Sequence, residues 1–197
     1  MELERAVRAR RMVRRYEDRT VDSDQLRRIL ALAVKTPSAG FSQGQSFVVV
    51  EDAGARQGLL RSVGIDPDQK GGVWAAPVFV VVCTSEAVYR DRYMEPDKRL
   101  GDGTPLGALP WPVPYWHIDA GASMMLLLLT VVDEGLSACF FGLSPDRWDR
   151  LREHLAIPDH VTPVGIVSIG HGAPDVPSPS LQRGWKPAEE VVHFNRW

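Results

Sequence analysis

Arginines crowd the beginning of the chain. Seven of the first nineteen residues are arginine: Arg5, Arg8, Arg10, Arg11, Arg14, Arg15 and Arg19. On a helix Arg10 and Arg14 would share a face, with Arg11 three residues before Arg14, so that these three guanidinium groups could bind one anion. A solvated charged face is the alternative, and the charge count alone favours it.

A second stretch with possible chemistry is "TPSAGFSQGQ", which starts at Thr36. It follows a helical pattern that begins at Asp22, has Gln25 in a capping-box-like position, and is ended by Pro37. An apolar run resumes only at Phe47. The loop is poor in large side chains, so a flat ligand could approach its backbone closely. A plain turn is the simpler alternative.

Other kinds of site find no support in the sequence. The five histidines form no HExxH motif or Cys/His cluster, and there is no Walker sequence, Gly-x-Ser-x-Gly elbow or dinucleotide fingerprint. A net charge of −2 and the absence of a recognition helix argue against nucleic acid. The longest apolar run, Met124–Leu129, is shorter than the roughly 20 residues of a membrane span. We therefore expect neither a nucleic-acid nor a membrane partner.

The composition predicts one globular domain. The chain has 197 residues, of which 44% are hydrophobic and 24% charged. Its two cysteines, Cys83 and Cys139, lie inside apolar runs, which predicts buried free thiols and a cytoplasmic location.

Four apolar runs predict strands at 46–51, 77–84, 138–142 and 163–169. They are continuous rather than alternating, so we expect helices on both faces of the sheet. Ser144-Pro145 predicts the start of one helix. Asp119 is predicted to cap another, which runs to Val132 and is apolar nearly all round, so it should lie in the centre of the core. The interspersed elements predict an α/β or α+β sandwich.

The segment "LGDGTPLGALPWPVPYW", residues 100–116, has no clear period and is rich in Gly and Pro. Loops of this length are usually functional or disordered, which makes it a candidate lid. Trp111, Tyr115 and Trp116 could line a flat aromatic cavity or could only anchor the loop.

Taken in order, these motifs resemble the FMN-dependent nitroreductase family. "RRMVRRY" at residues 10–16 matches its opening motif except at Met12, where Ser is usual, and "PSAGFSQG" matches its second motif except at Phe41, where Asn is usual. "APVFVVV", "WHIDAGASMMLLLLTVVDEGLSACFFG", "VTPVGIVSIGH" and "KPAEEVVHFNRW" extend the resemblance over essentially the whole chain. It implies an α+β, three-layer sandwich with a mixed central sheet of about four to five strands covered by helices on both faces. One domain, 1–197, would carry a lid-like segment around 85–116.

The resemblance also implies a set of FMN-binding residues. Those matching the phosphate and ribityl contacts are Arg10, Arg11, Met12 and Arg183, with Lys186 as an alternative because Trp185 stands where a basic residue is common. Arg14 would lie near the N1 and O2 edge of the flavin. The backbone of Phe141 and Gly142 would point toward N5. The loop along the ring would come from the partner subunit and comprise Pro37, Ser38, Ala39, Phe41 and Gln43.

The resemblance implies an FMN-containing, NAD(P)H-dependent oxidoreductase. It also implies a homodimer with two flavins at the subunit interface. Hydride would pass from NAD(P)H to flavin N5, and electrons would then pass to a small aromatic, quinone or nitro acceptor in a ping-pong scheme that requires no catalytic side chain. Phe41, Trp111, Tyr115 and Trp116 would line the acceptor pocket. A flavin-dependent dehydrogenase or oxygen-using enzyme, a flavin-binding module without turnover, and a deazaflavin cofactor stay open as alternatives.

Overall fold

A computed structural model describes residues 2–69 and 71–197. The helices are α1 (Leu3–Ala9), α2 (Ser23–Ala33), α3 (Ala53–Ser62), α4 (Glu86–Arg92), α5 (Tyr115–Asp133) and α6 (Pro145–His154). The strands are β1 (Gln45–Val50), β2 (Val78–Thr84), β3 (Ser137–Phe141) and β4 (Thr162–Gly170). All four predicted strands are present, and their ends differ from the predicted ones by at most one residue.

The strands form one sheet in the order β1-β2-β4-β3. Each neighbouring pair is antiparallel. The only parallel pairing in the described part of the chain is an isolated bridge between Met12 and Ala138. The four strands themselves are all antiparallel, so the predicted mixed character of the sheet is limited to this one bridge.

Helices cover both faces of the sheet, as the continuous apolar strands predicted. Leu26 and Ile29 of α2 and Leu127 of α5 pack on one face with alternate strand residues such as Val80 and Val82. On the opposite face α3 and α6 pack against the other strand residues; the members of this second cluster include Leu59, Leu151, Phe79, Val81 and Ile166. The predicted three-layer α+β sandwich is thus confirmed. Both cysteines are buried free thiols.

Two helix starts differ in detail from the capping patterns. The Asp22 carboxylate accepts a hydrogen bond from the Gln25 backbone N–H at 2.9 Å, as expected. The Gln25 side chain, however, donates to the Glu134 carbonyl and so joins α2 to the end of α5. Ser144 precedes α6 as predicted, but its hydroxyl bonds to the Asp146 carboxylate instead of a backbone N–H.

The position predicted for Asp119 is wrong. Helix α5 starts at Tyr115 after Pro114, so Asp119 lies inside the helix and is buried. The four residues before it are helical because the Pro-rich segment ends at Pro114. By length and composition α5 is the one helix among the described residues that could cross a membrane, a test that core helices of soluble proteins also pass. One face of α5 packs on the sheet.

Candidate active site

The arginine-rich segment is extended beyond Ala9, so the helical arrangement considered for Arg10 and Arg14 does not form. Helix α1 ends at Ala9, and Arg10 already has a ψ of 125°. The Val13 N–H then donates to the Ala138 carbonyl of β3 at 3.0 Å. The edge of β3 offers backbone groups that pair with this segment, and that pairing replaces a further helical turn. Arg10, Arg11 and Arg14 therefore do not share a helix face.

Met12 and Tyr16 fix this segment against the sheet. Met12 packs against the core beneath α2 and α5, and its sulfur accepts from the Phe140 N–H at 3.4 Å. The Tyr16 hydroxyl lies 2.8 Å from both the Val13 carbonyl and the Ser168 Oγ. Burial raises the pKa of Tyr16 well above its usual range, so the phenol remains a neutral hydrogen-bonding group. The segment's backbone is thus held firmly while several of its arginines face outward.

Arg14 lies on the wall of a cavity of about 540 Å³, which we name the arginine cavity. It brings together three predicted cofactor-binding residues, Arg14, Phe141 and Gly142. Trp74 and Arg147 also line it and were not found from the sequence. Nothing in the local pattern around Arg147 separates it from the other charged residues of α6, so only the fold could place it here.

The charge and shape of the arginine cavity suit an anionic ligand with a flat ring. Among the described residues, neither the Arg14 nor the Arg147 guanidinium group forms an ion pair. The Arg14 guanidinium donates to the Met12 carbonyl, and the Arg14 backbone N–H donates to the Asp175 carboxylate at 2.6 Å. The Trp74 ring contacts the Phe141 ring edge-on at 4.9 Å, which gives the cavity an aromatic wall. A Cβ added at Gly142 would meet nothing within 4 Å, so a ligand can approach the backbone there. These residues fit FMN, whose phosphate is anionic and whose ring is flat.

The small-residue loop, residues 37–43, lies at the start of β1. It makes a single 3₁₀ turn over Ala39–Phe41. The backbone is left-handed at Gly40, Phe41 and Gln43, with φ of 60°, 57° and 54°. The Phe41 side chain projects from the loop and is 71% exposed. The predicted compact backbone is present, and its largest side chain faces away from its own chain.

The loop and the arginine cavity lie at opposite edges of the sheet. Gln45, at the start of β1, pairs with Thr84, which pairs with Thr162 at the start of β4. Phe141 lies at the end of β3, the other edge strand. Three strand spacings of about 4.8 Å separate the edges, so about 14 Å of sheet lies between the two groups. A single chain therefore does not bring the predicted ring loop to the cavity.

The aromatic residues of the lid-like segment pack on one another. The Trp111 ring lies 4.7 Å from Tyr93 and 6.0 Å from both Tyr115 and Trp116. Its Nε1 donates to the Leu106 carbonyl, and the Arg90 guanidinium stacks over it at 4.8 Å. Neither tryptophan lines the arginine cavity or a second cavity of about 420 Å³ between α5 and the start of β4. This geometry favours the interpretation that they anchor the loop.

The remaining predicted residues are not gathered at the cavity within one chain. The Arg11 guanidinium donates to the carbonyls of Arg8 and Arg10, and Arg10 caps α1. Arg183 belongs to an exposed turn, Pro179–Arg183, of the C-terminal segment. Lys186 and Trp185 follow it and are exposed as well. Arg183 therefore does not reach the arginine cavity of its own subunit.

These observations describe an α+β sandwich. At one edge of its sheet lies a cavity with arginines and an aromatic wall. A sequence model of the nitroreductase family matches residues 7–73. A Methanothermobacter thermautotrophicus protein with the provisional name NADH dehydrogenase/NAD(P)H nitroreductase is 26% identical over all of this chain and 88% of its own length. An NADPH-dependent oxidoreductase of Staphylococcus aureus is 24% identical over 94% of this chain and 70% of its own length.

A solved structure agrees with these sequence matches. The crystal structure of a nitroreductase family protein from Clostridium difficile superposes with a TM-score of 0.71 and 22% identity, and the match covers 100% of both chains. The resemblance to the nitroreductase family is therefore confirmed, and the chain has the nitroreductase fold.

Proposed function

We propose that this protein is an FMN-containing, NAD(P)H-dependent oxidoreductase that acts on a small aromatic, quinone or nitro acceptor. The arginine cavity is the observation that carries this proposal, because it combines two guanidinium groups that have no ionic partner among the described residues, an aromatic wall and accessible backbone. The relatives named NAD(P)H nitroreductase and NADPH-dependent oxidoreductase support the choice of electron donor. No acidic or basic side chain is assigned to catalysis.

Bound FMN would supply the redox chemistry, accepting a hydride from NAD(P)H and giving electrons to the acceptor. Arg14 and Arg147 would bind anionic groups of the ligand through charge-assisted hydrogen bonds. Gly142 and Phe141 would offer backbone to the ring. Met12, which replaces the usual Ser, would contribute only its backbone because its side chain is directed into the core.

We further propose a homodimer in which the loop of one subunit completes the cavity of the other. Two sets of exposed apolar side chains support this proposal: Tyr115, Ile118 and Met125 on α5, and Val176, Leu181, Trp185, Phe194 and Trp197 in the C-terminal segment. Trp185 is 91% and Trp197 98% exposed, which is unusual for tryptophan in an isolated subunit. A second copy that covers these side chains would also bring Phe41 and Arg183 to a cavity that they do not reach within one chain.

The visible spectrum of the purified protein tests the proposed function, recorded before and after anaerobic addition of NADPH or NADH. We expect a bound flavin whose absorbance bleaches when the donor is added. A flavin that remains oxidised with both donors would contradict NAD(P)H dependence. A colourless protein that does not bind added FMN would contradict the cofactor assignment itself.

A further inference from the structure

A buried carboxylate interrupts the most apolar helix of the protein. Asp119 is 9% exposed and is the only Asp, Glu, Lys or Arg between Tyr115 and Val132. Its Oδ2 accepts hydrogen bonds from the Ala39 backbone N–H and from the Tyr89 hydroxyl, both at 2.8 Å. Burying a carboxylate is unfavourable, and an apolar residue would serve a purely packing helix better. Both hydrogen bonds are to groups outside α5, which indicates that Asp119 stabilises the structure beside the helix.

The partner of Asp119 is a loop whose backbone is strained. Phe41 and Gln43 adopt left-handed conformations that are unfavourable for residues with a Cβ. Gly40 is also left-handed, and a Cβ there would lie 2.5 Å from the Tyr93 ring. Such a backbone persists only where surrounding groups hold it.

Helix α4 holds the same loop from the other side. Tyr89 donates to Asp119, and the Arg92 Nε donates to the Gly40 carbonyl at 3.0 Å. The Gln43 N–H is bound by the Ser38 hydroxyl within the loop. We name Asp119, Tyr89 and Arg92 the loop clamp, since together they bind a donor and an acceptor of the turn.

We propose that Asp119 is a positioning residue: by fixing the Ala39 backbone it sets the direction in which Phe41 projects toward the cofactor cavity of the partner subunit. This inference rests on the proposed function, in which the loop of one subunit lies against the FMN of the other. Tyr89 serves Asp119 by fixing the orientation of its carboxylate.

Three variants separate the parts of the clamp. Asp119→Ala removes the acceptor, while Asp119→Asn keeps one oxygen that can accept both bonds without the charge. Tyr89→Phe removes one donor only. Thr130→Val is the matched control, because Thr130 is a buried polar residue of the same helix whose hydroxyl donates to Leu126 within α5. It tests the loss of a buried hydrogen bond away from the loop.

Amide hydrogen exchange of residues 39–43, measured without cofactor, tests the clamp directly. We expect exchange to be about tenfold or more faster in Asp119→Ala, because the acceptor is lost. In Asp119→Asn it should stay within about threefold of wild type, because an acceptor oxygen remains and only the charge assistance is lost. Thr130→Val should leave exchange of the loop unchanged. Unchanged exchange in Asp119→Ala would overturn the proposal. If that variant does not fold, Tyr89→Phe, which removes the donor that orients the carboxylate, must show faster loop exchange than wild type, and unchanged exchange would overturn the proposal.

The dissociation constant for FMN and the spectrum of the bound flavin test the effect on the site. We expect roughly tenfold weaker binding and a shifted spectrum in Asp119→Ala, with most of the loss recovered in Asp119→Asn. Faster loop exchange with unchanged FMN affinity and spectrum would overturn the positioning role. If wild-type protein binds no FMN, the proposed function fails, while the exchange experiment still decides whether Asp119 fixes the loop.

Discussion

The two edges of the sheet prepare for a ligand in different ways. At the β1 edge, the loop at 37–43 is fixed by side chains of its own chain: Asp119 and Arg92 bind its backbone. At the β3 edge, the arginine segment is fixed through its backbone, and the guanidinium groups of Arg14 and Arg147 lack ionic partners among the described residues. The β1 edge offers a rigid loop with an exposed aromatic side chain, and the β3 edge offers positive charge. Neither makes a complete site alone, which is why a second copy of the chain is central to the proposal.

The largest expected effect comes from removing the segment that would join the two edges. Truncation after Val176 should convert a dimer into a folded monomer that binds FMN poorly. None of residues 177–197 is buried within the subunit, so their loss should cost the subunit little stability. Light scattering after size-exclusion chromatography measures the mass, and thermal unfolding checks the fold. A truncated protein that remains a dimer would contradict the role given to the C-terminal segment.

A smaller effect is expected from removing one charge at the β3 edge. Arg14→Met should raise the dissociation constant for FMN about tenfold to a hundredfold, because a hydrogen bond to a charged group contributes roughly 1.5–3 kcal/mol. Isothermal titration of the apoprotein with FMN measures it.

Arg15→Met is the matched control for Arg14→Met. Arg15 neighbours Arg14 in the extended segment but lies near Asp175 and does not line the cavity. We expect its FMN affinity to stay near the wild-type value. Equal losses in the two variants would indicate a general effect of positive charge and contradict a specific contact by Arg14.

The contrast between the edges also explains what the sequence could and could not predict. The four strands and the small-residue loop depend on local composition, and the structure confirms them. The helical arrangement considered for Arg10 and Arg14 does not form, because the free edge of β3, distant in sequence, pairs with that segment. The capping role predicted for Asp119 was wrong because its partners, Ala39 and Tyr89, are 80 and 30 residues away. A lone acid in an apolar helix was nonetheless a signal that it needs partners.

The loop at the β1 edge can be destabilised by a substitution that alters no charged residue. Gly40→Ala should lower the free energy of unfolding by about 2–3 kcal/mol, since the new Cβ is strained at positive φ and overlaps the Tyr93 ring. Urea unfolding measures the change. Gly101→Ala is the control, because a Cβ there meets nothing within 4 Å, and its effect should stay within about 0.5 kcal/mol. Equal midpoints for the two variants would show that the loop relaxes around Gly40.

The smallest expected effect concerns pH and the arm of the clamp that reaches Gly40. Two nitrogens of Arg92 bind the Asp97 carboxylate at 2.8 Å and 2.7 Å, and this bidentate pair lowers the pKa of Asp97 from 3.8 to about 2. A lowered pKa in the folded state means that the pair stabilises the protein above pH 3.8, and that this stabilisation is lost as the pH falls through about 2. Asp97 is exposed, so the loss should be modest.

Asp97→Asn isolates this contribution from general acid unfolding. The variant should be slightly less stable than wild type at pH 7, and the two urea midpoints should converge between about pH 4 and pH 2 as wild-type Asp97 becomes protonated. Because Arg92 also donates to Gly40, loop exchange in Asp97→Asn should rise at pH 7 by less than in Asp119→Ala. A difference between the two urea midpoints that stays constant down to pH 2 would mean that the Arg92–Asp97 pair does not stabilise the loop clamp. Asp119 would then be the group that fixes the β1 edge.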